Sequence, residues 1–555
     1  MSVEKSDLTP PAIAITAGSH PSAVRGVLAP APGAAVPESH VAPRAARSGI
    51  RSAATSLRAW MLTGLLFLVP LAAYWPTTFH DYGLRDDYSN LREAHEEPGK
   101  VLKFCASHAR PIYGLLLQAT YGQTSSVQNL QWMRLGSALL LGALSLVSFR
   151  SLRSFGWSFE PSLCFALLVS LVPSAQVIAG WAVGWPYAVT TLIAIGGFFA
   201  AEGALAAPPW SQRWVAQWAA ALGLMVTAAL IYQSSAMFYV LPLAAALISE
   251  RDRGAGASAR WAAVHLGFVV CALGTAYLIM SGLYAADIFV KSGRVAFEQH
   301  WALKLVWFLE EPLPNALSLF VLNDNNYRDH GLYIGGASLA AGVLVAGAVL
   351  EWRRYGPARG LVWLCALTGL PIVACMVSLV ASERYATYRT IFALTAVLLV
   401  FLVASFNRLT ETVTAGTRKM MAVGILLLAF GMANHHAYAL LAVPQGNEWQ
   451  LILDGAKQVR LPERAGQSRP RVFAIVSTPS DISTATIYHD EFGSLSSNSE
   501  WVPREMFKRA IHDLHPNLPN ADSRYEFASG AKLPPGQRFD VIIDLHHLHR
   551  YYTDN

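Results

Sequence analysis

An adjacent acidic pair, Asp86-Asp87, stands just beyond the first membrane-length apolar run, Leu57 to Pro76, and His108-Ala109-Arg110-Pro111 closes the same loop. Ionisable side chains so near the depth of a bilayer are costly and commonly mark a function. Adjacent carboxyls can divide labour. One stays ionised as a base or metal ligand, while the other orients a substrate hydroxyl or has its pKa raised by its neighbour. The plain alternative is a solvated connection, because Asp81, Arg85, Arg92, Glu93, Glu96 and Glu97 crowd the same loop.

Further candidates sit at the ends of apolar runs, where a helical bundle can gather them. They are Gln176, Trp181, Trp185 and Tyr187, then the polar break Tyr232-Gln233-Ser234-Ser235, then Arg384, Tyr385, Tyr388 and Arg389. Singly, each has an ordinary role: aromatics populate interfacial belts, Gln233 can cap a turn, and arginines snorkel or pair with acids. Jointly, acids, arginines and aromatics are the inventory for moving a sugar off a lipid phosphate. The departing phosphate needs fixed positive charge, which Arg forks supply. The sugar needs aromatic faces, and the acceptor hydroxyl needs a base as the new bond forms. Asp86 and Asp87 could also offer oxygens to Mg²⁺ or Mn²⁺, but no third ligand is evident, so metal-dependent and metal-free chemistry both stay open. The runs His546-His547-Leu548-His549 and His435-His436 read as a strand end and an interfacial pair. No Gly-rich phosphate cradle is present, which gives a nucleotide-sugar donor no support.

These residues must be positioned by a membrane bundle. Of 555 residues, 53% are apolar and 14% charged, far more apolar surface than a soluble domain buries. Apolar runs at 57–76, 130–149, 161–181, 186–205, 214–231, 234–249, 262–283, 332–351, 360–380, 388–406 and 419–439 predict about eleven transmembrane helices. Arg44, Arg47, Arg51, Arg58, Arg150, Arg153, Arg213, Arg251, Arg253, Arg260, Arg353, Arg354, Arg359, Arg418 and Lys419 all fall inside if the amino terminus is cytoplasmic. That orientation leaves loops 77–129 and 284–331 outside, with Arg384 and Arg389 outside against the trend, as anion-binding residues would be. Segment 111–122 reads as an interfacial helix with Ile112, Leu115, Leu116 and Ala119 on one face, and Pro312 and Pro314 interrupt an apolar stretch at 301–322.

Residues 1–56 read as a disordered cytoplasmic tail, 57–440 as the transmembrane domain and 445–555 as a small α/β domain outside the membrane. In that last domain, Arg471 to Ser477 and Phe539 to Leu545 predict buried strands and Val502 to Leu514 a helix. The five cysteines give no disulfide framework. A formal charge of +6 argues for a membrane surface, with no nucleic-acid motif.

Asp86-Asp87-Tyr88 in the first outside loop, Arg110-Pro111 opening an interfacial helix, Tyr232-Gln233, and the late Arg384 and Arg389 resemble the multispanning bacterial GT-C glycosyltransferases. The likeness spans residues 57 to 410 and is nearest to the glucosyl transferases that modify O-antigen of lipopolysaccharide. It implies a polyprenyl-phosphate-linked sugar as donor, a cell-surface glycan or lipid-linked acceptor, and a reaction at the periplasmic face of the inner membrane. It also implies Asp86 or Asp87 as base, with Asp87 slightly favoured by its neighbours Tyr88 and Ser89, and Arg384 and Arg389 on the lipid phosphate. Tyr88, His108, Arg110, Trp181, Tyr187, Tyr232, Gln233 and Tyr385 are the remaining substrate-binding candidates. The chain departs from the commonest pattern at Ala109, where Gly usually precedes the Arg. An O-antigen polymerase or ligase, a lipid-linked oligosaccharide transporter, and a structural membrane subunit are the rival readings.

Overall fold

Backbone amides have no water to bond within a bilayer, so apolar runs of this length close their hydrogen bonds internally as helices. The computed structural model describes residues 45–249, 254–324, 330–462, 468–477, 487–518, 520–546 and 548, with side chains from 57 onward. Among these, eight helices are long and apolar enough to cross a membrane, or nine if the bent pair Phe159–Val169 and Pro173–Gly180 forms one span. The chain is thus a helical polytopic membrane protein with a small α/β element near its carboxyl end.

The difference from the eleven predicted runs has three sources. The first apolar helix, Leu57–Ala73, is short. The second source is the bent pair, whose 48° break falls just before Pro173, a residue with no amide to continue the ladder. The third is Gln212–Ser249, 38 residues that pass as one run, although Tyr232 within it has φ −155 and ψ 106. The chain doubles back there. Gln217 lies against Gly203, the Tyr232 ring is 4.2 Å from Tyr187, and Ser249 donates to Phe155 O, whose ring stacks on Phe199. Both ends of the run therefore sit by the close of helix Trp185–Leu205, and Tyr232 sits by its start.

Helix Phe392–Leu409 is the central post: every side chain from Phe392 to Ser405 is buried, as expected of a helix apolar on all faces. The last long helical run, Ala415–Gln458, passes through a π-helical turn, His436–Ala442, into helix Val443–Gln458, which carries the chain to the sheet. Strands β1 (Arg471–Ile475), β2 (Glu526–Gly530) and β3 (Val541–Asp544) form a parallel sheet of order β2-β1-β3. Helix Val502–Leu514 packs against β2. Of the predicted tail 1–56, residues 1–44 lie outside the described residues and the rest belongs to helix Ala45–Ala73. His547 and His549 also lie outside them.

One close approach aims two aromatic residues of the site. Between Trp181 and Tyr187 the chain turns at Gly184, whose amide donates to Trp181 O at 2.9 Å, and a Cβ there would lie 2.2 Å from the Ile178 carbonyl oxygen. The obstacle is backbone, so it cannot swing aside. Gly184→Ala is expected to destabilise the protein by about 1–3 kcal/mol and lower its unfolding temperature in detergent. Gly223→Ala, with nothing within 4 Å, should not.

Candidate active site

The first loop, the Trp181–Tyr187 turn, the Tyr232 kink and the segment before the central helix surround a cavity of about 1390 Å³, which the carboxyl-terminal element closes on its far side. Of the residues singled out from sequence, Asp86, His108, Arg110, Trp181, Tyr187, Tyr232, Gln233, Tyr385 and Arg389 lie on its wall. Asp87, Tyr88 and Arg384 do not.

The acidic pair is split by the start of helix Asp86–Glu96. Asp87 is fully buried: its Oδ2 accepts from Leu84 N at 2.8 Å, and its Oδ1 accepts from the Tyr121 hydroxyl. It fastens the loop to helix Pro111–Gly122. Tyr88 is buried beside it, accepting from Gly83 N at 3.1 Å and packing 5.5 Å from Trp449. Asp86 instead stands exposed on the cavity wall. Though open to the cavity, its carboxyl is enclosed by protein, and loss of bulk water pushes its pKa up, with Arg389 first and then Arg85 and Arg294 pulling it back.

At the second corner, Ala109 takes φ +59, the left-handed conformation that suits the Gly expected there. Three bonds impose it. Ala109 N donates to Tyr284 Oη at 3.0 Å, Gln233 Nε2 donates to Ala109 O at 2.7 Å, and Arg110 N donates to Cys105 O at 3.1 Å. Arg110 then lies 4.5 Å over the Tyr232 ring, and its Nε donates to Gln233 Oε1 at 3.3 Å. The polar break at Tyr232-Gln233 thus anchors Arg110. Tyr187 stacks on Tyr113 at 5.3 Å, their hydroxyls 2.9 Å apart. Burial lowers the His108 pKa, so this ring is neutral at pH 7.

Arg389 is buried three residues before the central helix. It lies 4.4 Å over Trp181, and Nη2 donates to Tyr385 Oη at 2.6 Å. Its Nη1 makes no hydrogen bond and faces Glu491 Oε1 at 3.7 Å. Arg384, five residues earlier, is exposed and off the cavity wall, whereas Lys291 and Arg294 of the loop 284–331 line it. The sequence reading also missed Trp501 and Arg504 on the cavity wall, and Glu491, which lies between Asp490 and Phe492 in a stretch with no apolar period to mark it. Among the described residues no three His, Cys, Asp or Glu side chains gather to hold a metal. The charges acting most strongly on Asp86 are the guanidiniums of Arg389, Arg85 and Arg294, a setting suited to an anion.

No protein-family model matches the chain, and no curated protein matches it. Three solved structures of the Archaeoglobus fulgidus oligosaccharyltransferase are similar to it at 11% identity each. One is a complex with Zn and sulfate (TM-score 0.41), one is AglB with an inhibitory peptide and a dolichol-phosphate (0.42), and one is the apo form (0.41). The matches cover 81%, 82% and 82% of this chain and 61%, 63% and 64% of those chains, so this chain spans less than two thirds of their length.

Burial raises the Asp87 carboxyl to about 7, against the pull of its Tyr121 and Leu84 bonds. The folded state therefore binds a proton that the unfolded chain, titrating near 3.8, has released. This group's contribution to stability is complete below pH ~4 and is lost as pH rises toward ~7. Asp87→Asn carries no charge at any pH. Thermal unfolding in detergent at several pH values from 4.5 to 7.5 should show the wild-type midpoint falling more steeply with pH than that of Asp87→Asn. Parallel curves would contradict this assignment.

Proposed function

We propose that this protein is a membrane glycosyltransferase that moves a sugar from a polyprenyl-phosphate donor to a hydroxyl of a glycan or lipid-linked acceptor. The observation that carries the reading is one cavity in which an accessible carboxylate, Asp86, faces the guanidiniums of Arg389 and Arg294, with Arg110 lining the same cavity. In the proposed step, the acceptor oxygen bonds to the anomeric carbon as the bond from that carbon to the phosphate oxygen breaks. The electron pair leaves with the phosphate, whose added charge Arg389 and Arg110 stabilise. Asp86 takes the acceptor's proton, and a carboxyl raised by enclosure is a better base than one in water. Tyr385, exposed on the wall, offers a ring face to the sugar, Tyr187 and Tyr232 back Arg110, and Asp87 keeps the loop in place without touching substrate. In this reading the donor is a bacterial polyprenyl lipid, and the cavity opens at the periplasmic face of the inner membrane.

Purified protein assayed with a polyprenyl-phosphate sugar tests the assignment. Asp86→Asn should cut the rate by about two to four orders of magnitude with little change in protein yield. Asp87→Asn should keep most of the rate per folded molecule. Normal transfer by Asp86→Asn would overturn the base assignment.

Sidedness has its own test. Reporter fusions at Gly446 and at Ala255 should report opposite compartments, with Gly446 periplasmic; the same signal from both would require the active face to be redrawn.

A further inference from the structure

The least satisfied charge at the cavity is the contact between Arg389 and Glu491. Glu491 is 1% exposed, yet its oxygen stops 3.7 Å from Arg389 Nη1, too far for the hydrogen bond that nitrogen lacks. Its tighter partner is Arg85, with Nη1 3.1 Å from Oε1 and 3.0 Å from Oε2. The segment bearing it is fixed at many points, so the gap is built in. His489 bonds Ala386 O at 2.6 Å, Tyr388 N donates to Asp490 Oδ2 at 3.0 Å, Gly493 N donates to Leu440 O at 2.8 Å, and Arg85 Nη2 donates to Ser494 Oγ at 3.2 Å.

We infer that Glu491 is a fixed counter-ion of Arg389: it balances the guanidinium before the donor arrives and, held beside it throughout, weakens the grip on the lipid phosphate so that this product departs. The inference rests on the reading above that Arg389 takes the phosphate. Burial raises the Glu491 carboxyl to about 7, so at pH 8, where it is ionised, a second anion approaching Arg389 is attracted by the guanidinium and repelled by the fixed carboxylate, and affinity is lower than the arginine alone would give. An enzyme gains nothing from holding substrate and product equally tightly, and slow release then limits turnover.

The experiment titrates the purified full-length protein in detergent micelles at pH 8 with farnesyl phosphate and measures KM and kcat for transfer. Glu491→Gln keeps the shape and removes the charge, and is expected to bind farnesyl phosphate about three- to tenfold more tightly, with KM and kcat falling together. Glu491→Asp should return both toward wild type. A carboxylate serving only as glue would instead give weaker or unchanged binding in Glu491→Gln, which overturns the inference. Should Glu491→Gln fail to fold, Arg85→Met leaves the whole Glu491 charge to Arg389 and should weaken binding at least about threefold, with unchanged affinity overturning the inference equally. Arg389→Ala separates the two ideas. If it binds farnesyl phosphate as wild type does, the phosphate reading itself fails; if it loses binding while Glu491→Gln leaves it unchanged, only the counter-ion role of Glu491 fails.

Discussion

A guanidinium buried at the head of a largely enclosed helix has to be matched by charge, and for Arg389 much of that match, Asp490 and Glu491, comes from the far end of the chain. Burying an ion without a partner is prohibitive, while a pair repays its desolvation only when geometry and further hydrogen bonds support it. Arg389 obtains that support from Tyr385, the Trp181 face and Glu491. Glu491 in turn is held by Arg85, the residue preceding Asp86. Asp86, Arg389 and the carboxyl-terminal segment therefore form one electrostatic unit. Arg85 shows the strain of that linkage, with φ +42 at a non-glycine position, and its amide donates to Ser496 Oγ at 3.1 Å.

The same dependence explains why the first loop does not hang free from the bundle. Arg134, fully buried, donates to Tyr82 O at 2.8 Å and His80 O at 2.7 Å and fixes the loop's entry. Arg92 bonds Glu505 at 2.9 Å, and Arg509 bonds Ser125 O. Surface ion pairs contribute little, but Arg92–Glu505 is at most partly exposed and Arg509 is buried, and the two contacts tie the first loop to helix Val502–Leu514. Glu448 adds to them by accepting from Ser496 N and Ser497 N at 3.0 and 2.9 Å. Removing the carboxyl-terminal element would therefore expose charge at the cavity as well as apolar surface.

How much of this could be read from sequence depended on the range over which each signal acts. Apolar periodicity is local, so the helices, the helix Val502–Leu514 and the two apolar strands were legible, whereas β2 was not, because Glu526, Ser529 and Gly530 leave it no alternation. Residue type marked the acidic pair but could not choose within it: Tyr88 and Ser89, which favoured Asp87, are a loop anchor and a half-buried wall residue, and the helix start turns Asp86 outward. Charge bias singled out Arg384 and Arg389 equally. Their separation follows from one residue's distance to a buried helix, which is a tertiary fact. The departure at Ala109 was visible, and its meaning was not: the left-handed corner persists without Gly because Tyr284 and Gln233, far away in sequence, supply the bonds that hold it.

The walls of the cavity differ in kind, and the difference bears on what can occupy it. One wall is the helix Ala255–Ala285, which presents Val270, Leu273, Tyr277, Met280 and Tyr284 at intervals of three and four residues, a single helical face. That face is apolar at its far end and meets Tyr284 hydroxyl bonding at the Ala109 corner. The opposite wall is Glu500, Trp501, Arg504 and the edge strand β2, a surface of soluble-domain character. A water-soluble molecule would gain nothing from the first wall, and a simple lipid nothing from the second. An apolar chain ending in a charged phosphate suits the first wall with the arginines at its head, and a polar acceptor suits the second. Asp86 lines the same cavity as both walls, so the chemistry proposed for it rests on the asymmetry of the cavity as much as on the carboxylate itself.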